Sequence, residues 1–254
     1  MPRIAPDLSQ FPCSTAEDPV TDPDLFTSGA LILMDKPLHW SSFGVVKYVR
    51  HRVPPKKVGH AGTLDPLASG LLILCTGRAT KVISQIQEME KEYKAVVRFG
   101  ASTPSYDAAT EPDQFAEWEH ITEAQIRELL ENDFTGDIEQ VPPMFSALKV
   151  KGKRLYEIAR KGGVVKLEPR KVVIHAIDID DLSLPEISLT IRCGKGTYIR
   201  SLAHDLGLKL GSRARLVSLR RTKTGSYDVE NAVTPEQFED IMSKKNSDRN
   251  DLAG

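Results

Sequence analysis

The feature that most constrains the fold is a set of glycines around one carboxylate, followed directly by an apolar run. Residues 59–70 hold glycine at both ends and near the middle, with Asp65 and a proline between them, and residues 71–75 are all apolar. Glycine permits sharp turns, proline fixes the direction of exit, and the apolar run is typical of a buried strand or core helix. We therefore predict that Asp65 lies at a loop tip on a rigid base, a plain surface turn being the alternative.

The stretch Gly-His-Ala-Gly-Thr-Leu-Asp-Pro-Leu-Ala-Ser-Gly, residues 59–70, closely resembles the catalytic motif of the TruB family of tRNA pseudouridine synthases. A dozen near-contiguous positions is a specific match, and further blocks follow in the family's order. These blocks are residues 33–37, 40–42, 91–93, 136–149, 152–156, 195–202 and 219–221. The resemblance covers the chain from about residue 29 to residue 227.

The resemblance implies an isomerase that converts uridine to pseudouridine in RNA, most specifically uridine 55 in the T loop of tRNA. The reaction breaks the bond between N1 of the base and C1′ of the ribose, turns the base over and joins C5 to C1′. The target base is flipped out of its stack first. Asp65 matches the family's catalytic aspartate, and the sequence leaves open whether it attacks the base, attacks C1′ or starts a glycal route.

Two further residues match the family's active site. Arg200 matches an arginine that keeps the carboxylate of Asp65 ionised, since an anion in a closed pocket needs a positive partner. Tyr93 matches a tyrosine whose ring stacks on the target base and whose hydroxyl is a candidate for transfer of the C5 proton. By residue type alone, Arg200 also suits a helix cap and Tyr93 a strand end, so both roles depend on the resemblance.

The resemblance also implies residues that bind the substrate or support the catalytic loop. His60 matches a histidine that helps to extrude the nucleotide, and Leu219 matches an apolar residue that lines the uracil pocket. Lys36 is interpreted as support for the catalytic loop, with direct phosphate contact as the alternative. Asp107 ends a loop motif in which Pro104 replaces the family's usual aspartate, so the contact made by that carboxylate is left unassigned.

The charge distribution is more informative than the formal net charge of −1. Six basic residues and no acid lie in residues 36–64, nine basic residues lie in the basic segment, residues 149–171, and six basic residues with no acid lie in residues 209–223. The acids concentrate in residues 7–24 and 107–139. This pattern is typical of a polyanion-binding face with an acidic periphery.

The periodicity predicts an α+β fold with a mixed, largely antiparallel sheet flanked by helices and loops. This agrees with the pseudouridine synthase fold that the resemblance implies, with a catalytic cleft across the sheet. Strands are expected at residues 30–34, 71–75, 93–99, 172–179 and 187–193, and helices from Ser41 or Ser42, from Thr122, near 155–160 and from Ile199. In the first of these helices, Phe43, Val46 and Val49 are expected to form the buried face.

The two ends of the chain are predicted to lie outside the catalytic domain, residues 29–227. Residues 1–28 hold five prolines and five acids without hydrophobic periodicity, which predicts a disordered tail and no signal peptide. Residues 228–254 are expected to be a short tail, too short for the RNA-binding PUA domain that many relatives carry. Affinity for tRNA is then expected to depend on the basic face, with a steep dependence on salt.

Composition excludes a membrane span, because no apolar run approaches ~20 residues. Cys13, Cys75 and Cys193 are far apart and have neither the spacing of a zinc site nor that of a disulfide framework. We expect no metal and no cofactor, a cytoplasmic location, a tRNA partner bound through its T arm, and a monomeric chain.

Three other functions are alternatives to this one. A guide-RNA-dependent pseudouridine synthase is the nearest, although Ala61 and residues 67–70 favour the stand-alone bacterial branch. A non-catalytic RNA-binding or tRNA-folding module would not need Asp65, Tyr93 and Arg200 together. A glycosidase-type hydrolase would need a second acid in a comparable motif, and the sequence offers none.

Overall fold

A computed structural model of the protein describes residues 6–54, 57–150 and 152–251. The strands in chain order are β1 Cys13–Ser14, β2 Leu31–Lys36, β3 Val58–His60, β4 Ala68–Thr76, β5 Lys91–Phe99, β6 Ala101–Ser102, β7 Gln114–Phe115, β8 Gly136–Gln140, β9 Lys149–Val150, β10 Lys153–Arg154, β11 Arg170–Ser183, β12 Glu186–Cys193, β13 Ala214–Thr224 and β14 Tyr227–Asp228. The helices are α1 Pro23–Ser28, α2 Ser42–Arg50, α3 Ile83–Glu88, α4 Glu123–Asp133, α5 Leu155–Ala159, α6 Ile199–Lys209 and α7 Pro235–Asp251. Short 3-10 helices cover Leu8–Gln10, Gly77–Val82 and Val229–Asn231.

The chain divides into two compact units. The first contains Met1–Lys91 and Arg220–Gly254, and the second contains Glu92–Leu219. In the first unit β2 and β3 both pair antiparallel with β4, and β1 pairs parallel with β2. Almost every residue of β4 is buried, because apolar side chains cover the strand on both faces. This central strand is the rigid base that the apolar run predicted.

Helix α2 confirms its predicted start but not its predicted buried face. Ser41 caps the helix by accepting a hydrogen bond from the amide of Gly44. The buried side chains are those of Ser42, Val45, Val46 and Val49, which recur at the spacing of one helical face. Phe43 follows Ser42 by one residue and therefore lies about 100° around the helix from it, outside the buried face. Its side chain is 65% exposed, so its predicted core position is wrong.

The predicted disordered tail is wrong for the described residues 6–28. Strand β1 pairs with β2 through Cys13 and Leu31, and Asp22 caps helix α1, in which Phe26 is fully buried. Proline content suggested disorder, but a proline at the first position of a helix is favourable because its missing N–H has no helical partner there. The prediction for residues 1–5 lies outside the described residues.

The C-terminal residues also form more structure than the predicted short tail. Val233 exchanges backbone hydrogen bonds with β2, and Thr234 and Gln237 form a reciprocal cap at the start of α7. Phe238 and Met242 of α7 are buried. The Thr-x-x-Gln pattern was present in the sequence as a helix start, and these buried residues attach α7 to the first unit.

The second unit is an antiparallel arrangement of β8, β11 and β12 with hairpins and helices around it. Strand β11 pairs with β12 on one side and with β8 on the other. Side chains alternate between buried and exposed along β5 and β12, as the sequence predicted. The predicted capping box of α4 is present between Thr122 and Gln125. Parallel and antiparallel pairing together confirm the mixed, largely antiparallel α+β class.

The described part of the chain has neither a membrane-spanning helix nor a cluster of potential metal ligands. No helix within residues 6–54, 57–150 and 152–251 is long and apolar enough to cross a membrane. Within the same ranges, no three or more His, Cys, Asp or Glu side chains are grouped so that they could hold a metal ion.

Candidate active site

Asp65 lies in the loop that joins β3 to β4, within the first unit. His60 ends β3 opposite Leu74, and the chain then turns through Gly62, which has a φ of 93° that favours glycine. The turn closes with a hydrogen bond from the amide of Ala68 to the carbonyl of Asp65, 3.0 Å long. The side chain of Asp65 is half-buried. The loop tip predicted from the glycine pattern is confirmed.

The residues on either side of Asp65 are both held by the segment that runs from the end of β2 to the start of α2. The hydroxyl of Ser42 accepts from the amide of Leu64 at 2.8 Å and donates to its carbonyl at 2.9 Å. The amide of His39 donates to the carbonyl of Pro66 at 2.7 Å. The backbone around Asp65 is therefore held by hydrogen bonds on both sides.

Lys36 supports this arrangement from within the protein. Its side chain is fully buried, and its ammonium group donates to the carbonyls of Pro37 and Trp40, each at 2.8 Å. Burial lowers the pKa of Lys36 to about 8, an effect that the nearby carboxylate of Asp65 opposes. The geometry favours support of the catalytic loop over direct contact with a phosphate, because this ammonium group is not exposed.

Arg221 is a second buried cation behind the loop, and the sequence placed it in a block that matches the family and in a basic stretch without giving it a role of its own. It is 2% exposed, and its guanidinium group donates to the carbonyl of Leu71 at 2.7 Å and to that of Gly62 at 3.2 Å. A side chain at Gly70 would lie 2.2 Å from the carbonyl oxygen of Arg221. Arg221 therefore joins β4 to the turn that leads to Asp65.

Arg221 acts on both Lys36 and His60. Arg221 further lowers the pKa of Lys36, since two positive charges at close range disfavour each other. Burial lowers the pKa of His60, and Arg221 again acts in the same direction, against the hydrogen bond of His60 to the backbone of Gly62. The guanidinium of Arg221 is thus close enough to the ammonium group of Lys36 and to the ring of His60 to lower the pKa of both.

In the second unit, Arg200 and Asp107 lie together. Arg200 is buried in the first turn of α6 and donates to the carbonyls of Ser105 and Phe145 at 2.9 and 3.0 Å. Its Nε lies 3.6 Å from the carboxylate of Asp107. The structure thus brings these two predicted site residues into one ion pair.

The loop with the unusual Pro104 still holds Asp107 firmly. The hydroxyl of Ser105 donates to the carboxylate of Asp107 at 2.6 Å, and the amide of Ala109 donates to the same oxygen at 2.9 Å. Tyr106 between them has a φ of 64° and stacks on His204 with ring centroids 3.9 Å apart. Serine and tyrosine therefore order this loop without an aspartate at position 104.

The other predicted residues of the second unit are buried strand residues. Tyr93 lies near the start of β5 on its apolar side, in line with Ala95, and is 9% exposed. Leu219 is a buried residue of β13. Their placement fits the walls of an apolar site as well as it fits a core, so their roles in binding uracil stay predictions.

Comparison with known proteins gives the family. The model of the TruB family pseudouridylate synthase N-terminal domain matches residues 50–199, and that of the tRNA pseudouridylate synthase B C-terminal domain matches residues 200–253. The chain belongs to the TruB family of pseudouridylate synthases. The family models divide the chain at residue 200 and include the C-terminal residues that sequence analysis treated as a tail.

Individual relatives agree with the family assignment. The chain is 49% identical over 227 residues to tRNA pseudouridine synthase B of Flavobacterium johnsoniae, covering 87% of this chain and 99% of the relative. It is 45% identical over 225 residues to the protein of the same name from Parabacteroides distasonis, covering 86% of this chain and 95% of the relative. The resemblance on which the site residues were assigned is confirmed at the level of the family.

Solved structures support the fold. The chain is similar to a chain in the crystal structure of a Cbf5-Nop10-Gar1 complex, with a TM-score of 0.64, 27% identity and coverage of 87% of this chain. A Nop10-Cbf5 complex from an archaeal box H/ACA sRNP matches with the same TM-score at 26% identity. The chain spans 56% of the length of each of these solved chains. The pseudouridine synthase fold implied by the TruB motif is thereby confirmed.

The site residues missed by sequence reasoning have weak sequence signals. Ser42 was considered only as a helix cap, whereas its hydroxyl fixes Leu64. Arg221 follows Arg220, and no residue pattern separates the buried guanidinium from the half-buried one that pairs with Asp35. The placement of Gly62 and Gly70 against Arg221 became visible only with the fold.

Proposed function

We propose that the chain converts uridine to pseudouridine in tRNA, at uridine 55 of the T loop, acting as a monomer in the cytoplasm. The observation that carries the proposal is the placement of Asp65 in the TruB motif, on a loop whose backbone is fixed on both sides. A carboxylate held in this way is preorganised for attack on a flipped nucleotide. The family and the names of the relatives support the choice of reaction and of tRNA.

The reaction conserves all atoms of the nucleotide except for one exchanged proton. The bond from N1 to C1′ breaks, the uracil turns over, C5 bonds to C1′, and the proton of C5 leaves while N1 gains one. In our proposal Asp65 supplies the carboxylate that starts this sequence, and Tyr93 stacks on the base and serves the C5 proton. Arg200, oriented by Asp107, supplies the positive partner of the catalytic carboxylate.

The remaining predicted residues are assigned to binding and support. His60 helps to extrude the nucleotide, Leu219 lines the uracil pocket, and Lys36 holds the loop beside Asp65. The described cations of the basic segment are exposed and suit contacts to phosphates of the T arm. The described cysteines are free thiols, which suits a reducing compartment.

The test is release of tritium from tRNA transcript labelled at C5 of uridine. The wild type is compared with Asp65→Asn, which keeps the size of the side chain and removes its charge. Asp137→Asn, an exposed position on β8, is the matched control. We expect release with the wild type and the control, none with Asp65→Asn, and a modified site that maps to the T loop.

Two results would contradict the proposal in different ways. Release from Asp65→Asn at the rate of the wild type would remove Asp65 from the mechanism. Release by the wild type at a site outside the T loop would keep the reaction and change the substrate. Light scattering of the purified chain checks the monomer, and a dimer would contradict that part alone.

A further inference from the structure

Two large apolar side chains are exposed in the segment that holds the catalytic loop. Leu38 is 51% exposed in the loop after β2, and Phe43 is 65% exposed in the first turn of α2. Between them, Trp40 packs edge-on against Tyr48, with ring centroids 5.4 Å apart. Exposed apolar residues are common singly, but a pair on one ordered segment beside a catalytic residue requires an explanation.

The segment that presents these side chains is rigid. Lys36 binds two of its carbonyls, His39 binds Pro66, and Ser42 binds Leu64, so the segment contacts both neighbours of Asp65. His39 has a φ of 66°, a conformation that is uncommon for residues other than glycine, and its amide is held by the carbonyl of Pro66. Leu38 and Phe43 are therefore presented on a fixed base, and little conformational entropy is lost when a ligand packs on them.

The sequence segment that contains this pair is basic. Residues 36–64 contain no acid, and Lys47 lies four residues after Phe43, so both side chains are on the same exposed face of α2. Glu239, which contacts the same helix, is bound to Arg52 at 2.6 Å and to the hydroxyl of Tyr48 at 2.6 Å. Cations beside exposed apolar side chains suit a ligand that is a polyanion and also has an exposed apolar face.

We propose that Leu38 and Phe43 form a stacking platform for an unpaired nucleobase of the bound RNA, with Lys47 contacting a phosphate of the same strand. RNA loops are recognised in this way, by unstacked bases on aromatic side chains and by cations on the backbone. The inference rests on the proposed function and adds a contact surface that the catalytic residues do not provide. Two side chains also cover far less area than the roughly 1,000 Å² that a specific protein partner requires.

The experiment measures the affinity of unmodified tRNA transcript by filter binding over a series of salt concentrations, together with kcat and KM for tritium release. The variants are Phe43→Ala, Phe43→Trp, Leu38→Ala and Lys47→Ala. Phe115→Ala is the matched control, because Phe115 is 76% exposed in the short strand β7. Melting curves of each variant show whether the fold is kept.

The expected results separate stacking from charge. Loss of one base-stacking contact costs about 5- to 150-fold in affinity, so we expect Phe43→Ala to raise Kd and KM by about tenfold with kcat little changed. Phe43→Trp should restore the affinity to within about twofold, because it keeps an aromatic face. Lys47→Ala should lower the salt slope by about 1, whereas Phe43→Ala should leave the slope unchanged.

Each other outcome overturns the inference. A Phe43→Ala variant that melts like the wild type and binds tRNA as tightly as Phe115→Ala does would remove the platform. A drop in kcat with unchanged Kd would place Phe43 in loop support instead. If the wild type converts tRNA and these variants bind tRNA as tightly as the wild type does, only this inference is refuted. If the wild type neither binds nor converts tRNA, the proposed function is refuted as well.

Discussion

The loop of Asp65 and the basic segment, residues 149–171, are built in opposite ways. Around Asp65 the cations Lys36 and Arg221 are buried, and their hydrogen bonds go to backbone carbonyls of the protein. In the basic segment every cationic side chain whose exposure is described is exposed, and helix α5 buries only Leu155. The same residue types therefore fix a backbone in one region and face solvent in the other.

The roles proposed for the two regions account for this difference. A reacting carboxylate must be placed to within a fraction of an ångström, and that precision needs satisfied hydrogen bonds in a low dielectric. Binding of a polyanion needs cationic groups that reach its phosphates, and long exposed side chains supply such groups with few internal contacts. Positive charge in a sequence can thus indicate either function, and burial decides which.

The largest expected effect is that of removing the guanidinium of Arg221. Arg221→Met leaves the carbonyls of Gly62 and Leu71 without their donor in a buried region, and we expect a loss of about 3 kcal/mol in the free energy of unfolding in urea. Arg160→Met, in the basic segment, should cost less than about 0.5 kcal/mol. Equal losses in the two variants would contradict the contrast between the regions.

Arg221→Lys sharpens this result, because lysine keeps the charge and loses the fork of donors. We expect it to recover only part of the lost stability, since one ammonium group does not reproduce the two bonds of a guanidinium. Full recovery would mean that charge alone, and not the link between β4 and Gly62, is what the site needs.

The elements predicted well from sequence are those with a clear period or cap. The alternation of β5 and the Thr122–Gln125 capping box of α4 were both confirmed. Strand β13 was missed because it is rich in arginine and lysine and its alternation of burial breaks between Leu216 and Leu219. The local sequence pattern carries no information about the neighbouring strands that bury such a segment.

The candidate site was predicted to a different extent in its two parts. The motif located Asp65 and its loop, because glycine and proline act locally on the backbone. The resemblance assigned Lys36 to support of the loop, whereas Arg221 was not separable from surface cations, since it lies far from the loop in sequence and only the fold buries it. The prediction for Phe43 was wrong in the opposite direction: an apolar residue near a helix start was expected to be buried, and its side chain is exposed.

The second prediction uses the pKa of Lys36, which burial lowers to about 8 from an ordinary value of about 10.4. Between these pH values the unfolded chain binds more protons at this site than the folded chain does. The free energy of unfolding contributed by Lys36 therefore rises with pH, by about 2 kcal/mol between pH 8 and pH 10. Below pH 8 this contribution is constant.

The measurement is the difference in unfolding free energy between the wild type and Lys36→Met at several pH values. This difference should move in favour of the wild type as pH rises through 8, while Lys161→Met in the basic segment should follow the wild type throughout. A difference between the wild type and Lys36→Met that stays constant from pH 7 to pH 10 would show that Lys36 is not held in a costly buried charged state.

The third prediction concerns affinity rather than stability. Replacing Lys153, Arg154 and Lys161 by alanine, one at a time, should each weaken tRNA binding by about 1 kcal/mol at low salt and lower the salt slope by about 1. Melting temperatures should not change, because these side chains are exposed. Lys171→Ala, at the end of the segment on β11, tests how far the surface extends. A lower melting temperature for the first three would mean that the segment has a structural role as well.

The smallest expected effect is that of Tyr156, the one aromatic ring of the basic segment. The guanidinium carbons of Arg154 and Arg160 lie 5.9 and 5.7 Å from its ring centroid, a geometry that attracts both cations to the ring. Tyr156→Leu removes this attraction and should raise the Kd for tRNA about threefold, since exposed contacts of this kind are worth about 0.5–1 kcal/mol. Tyr156→Phe keeps the ring and removes only the hydroxyl near Arg154, so its Kd should match that of the wild type. If Tyr156→Leu and Tyr156→Phe both bind tRNA as tightly as the wild type does, the ring is not needed to position the arginines, and the basic segment acts through charge alone.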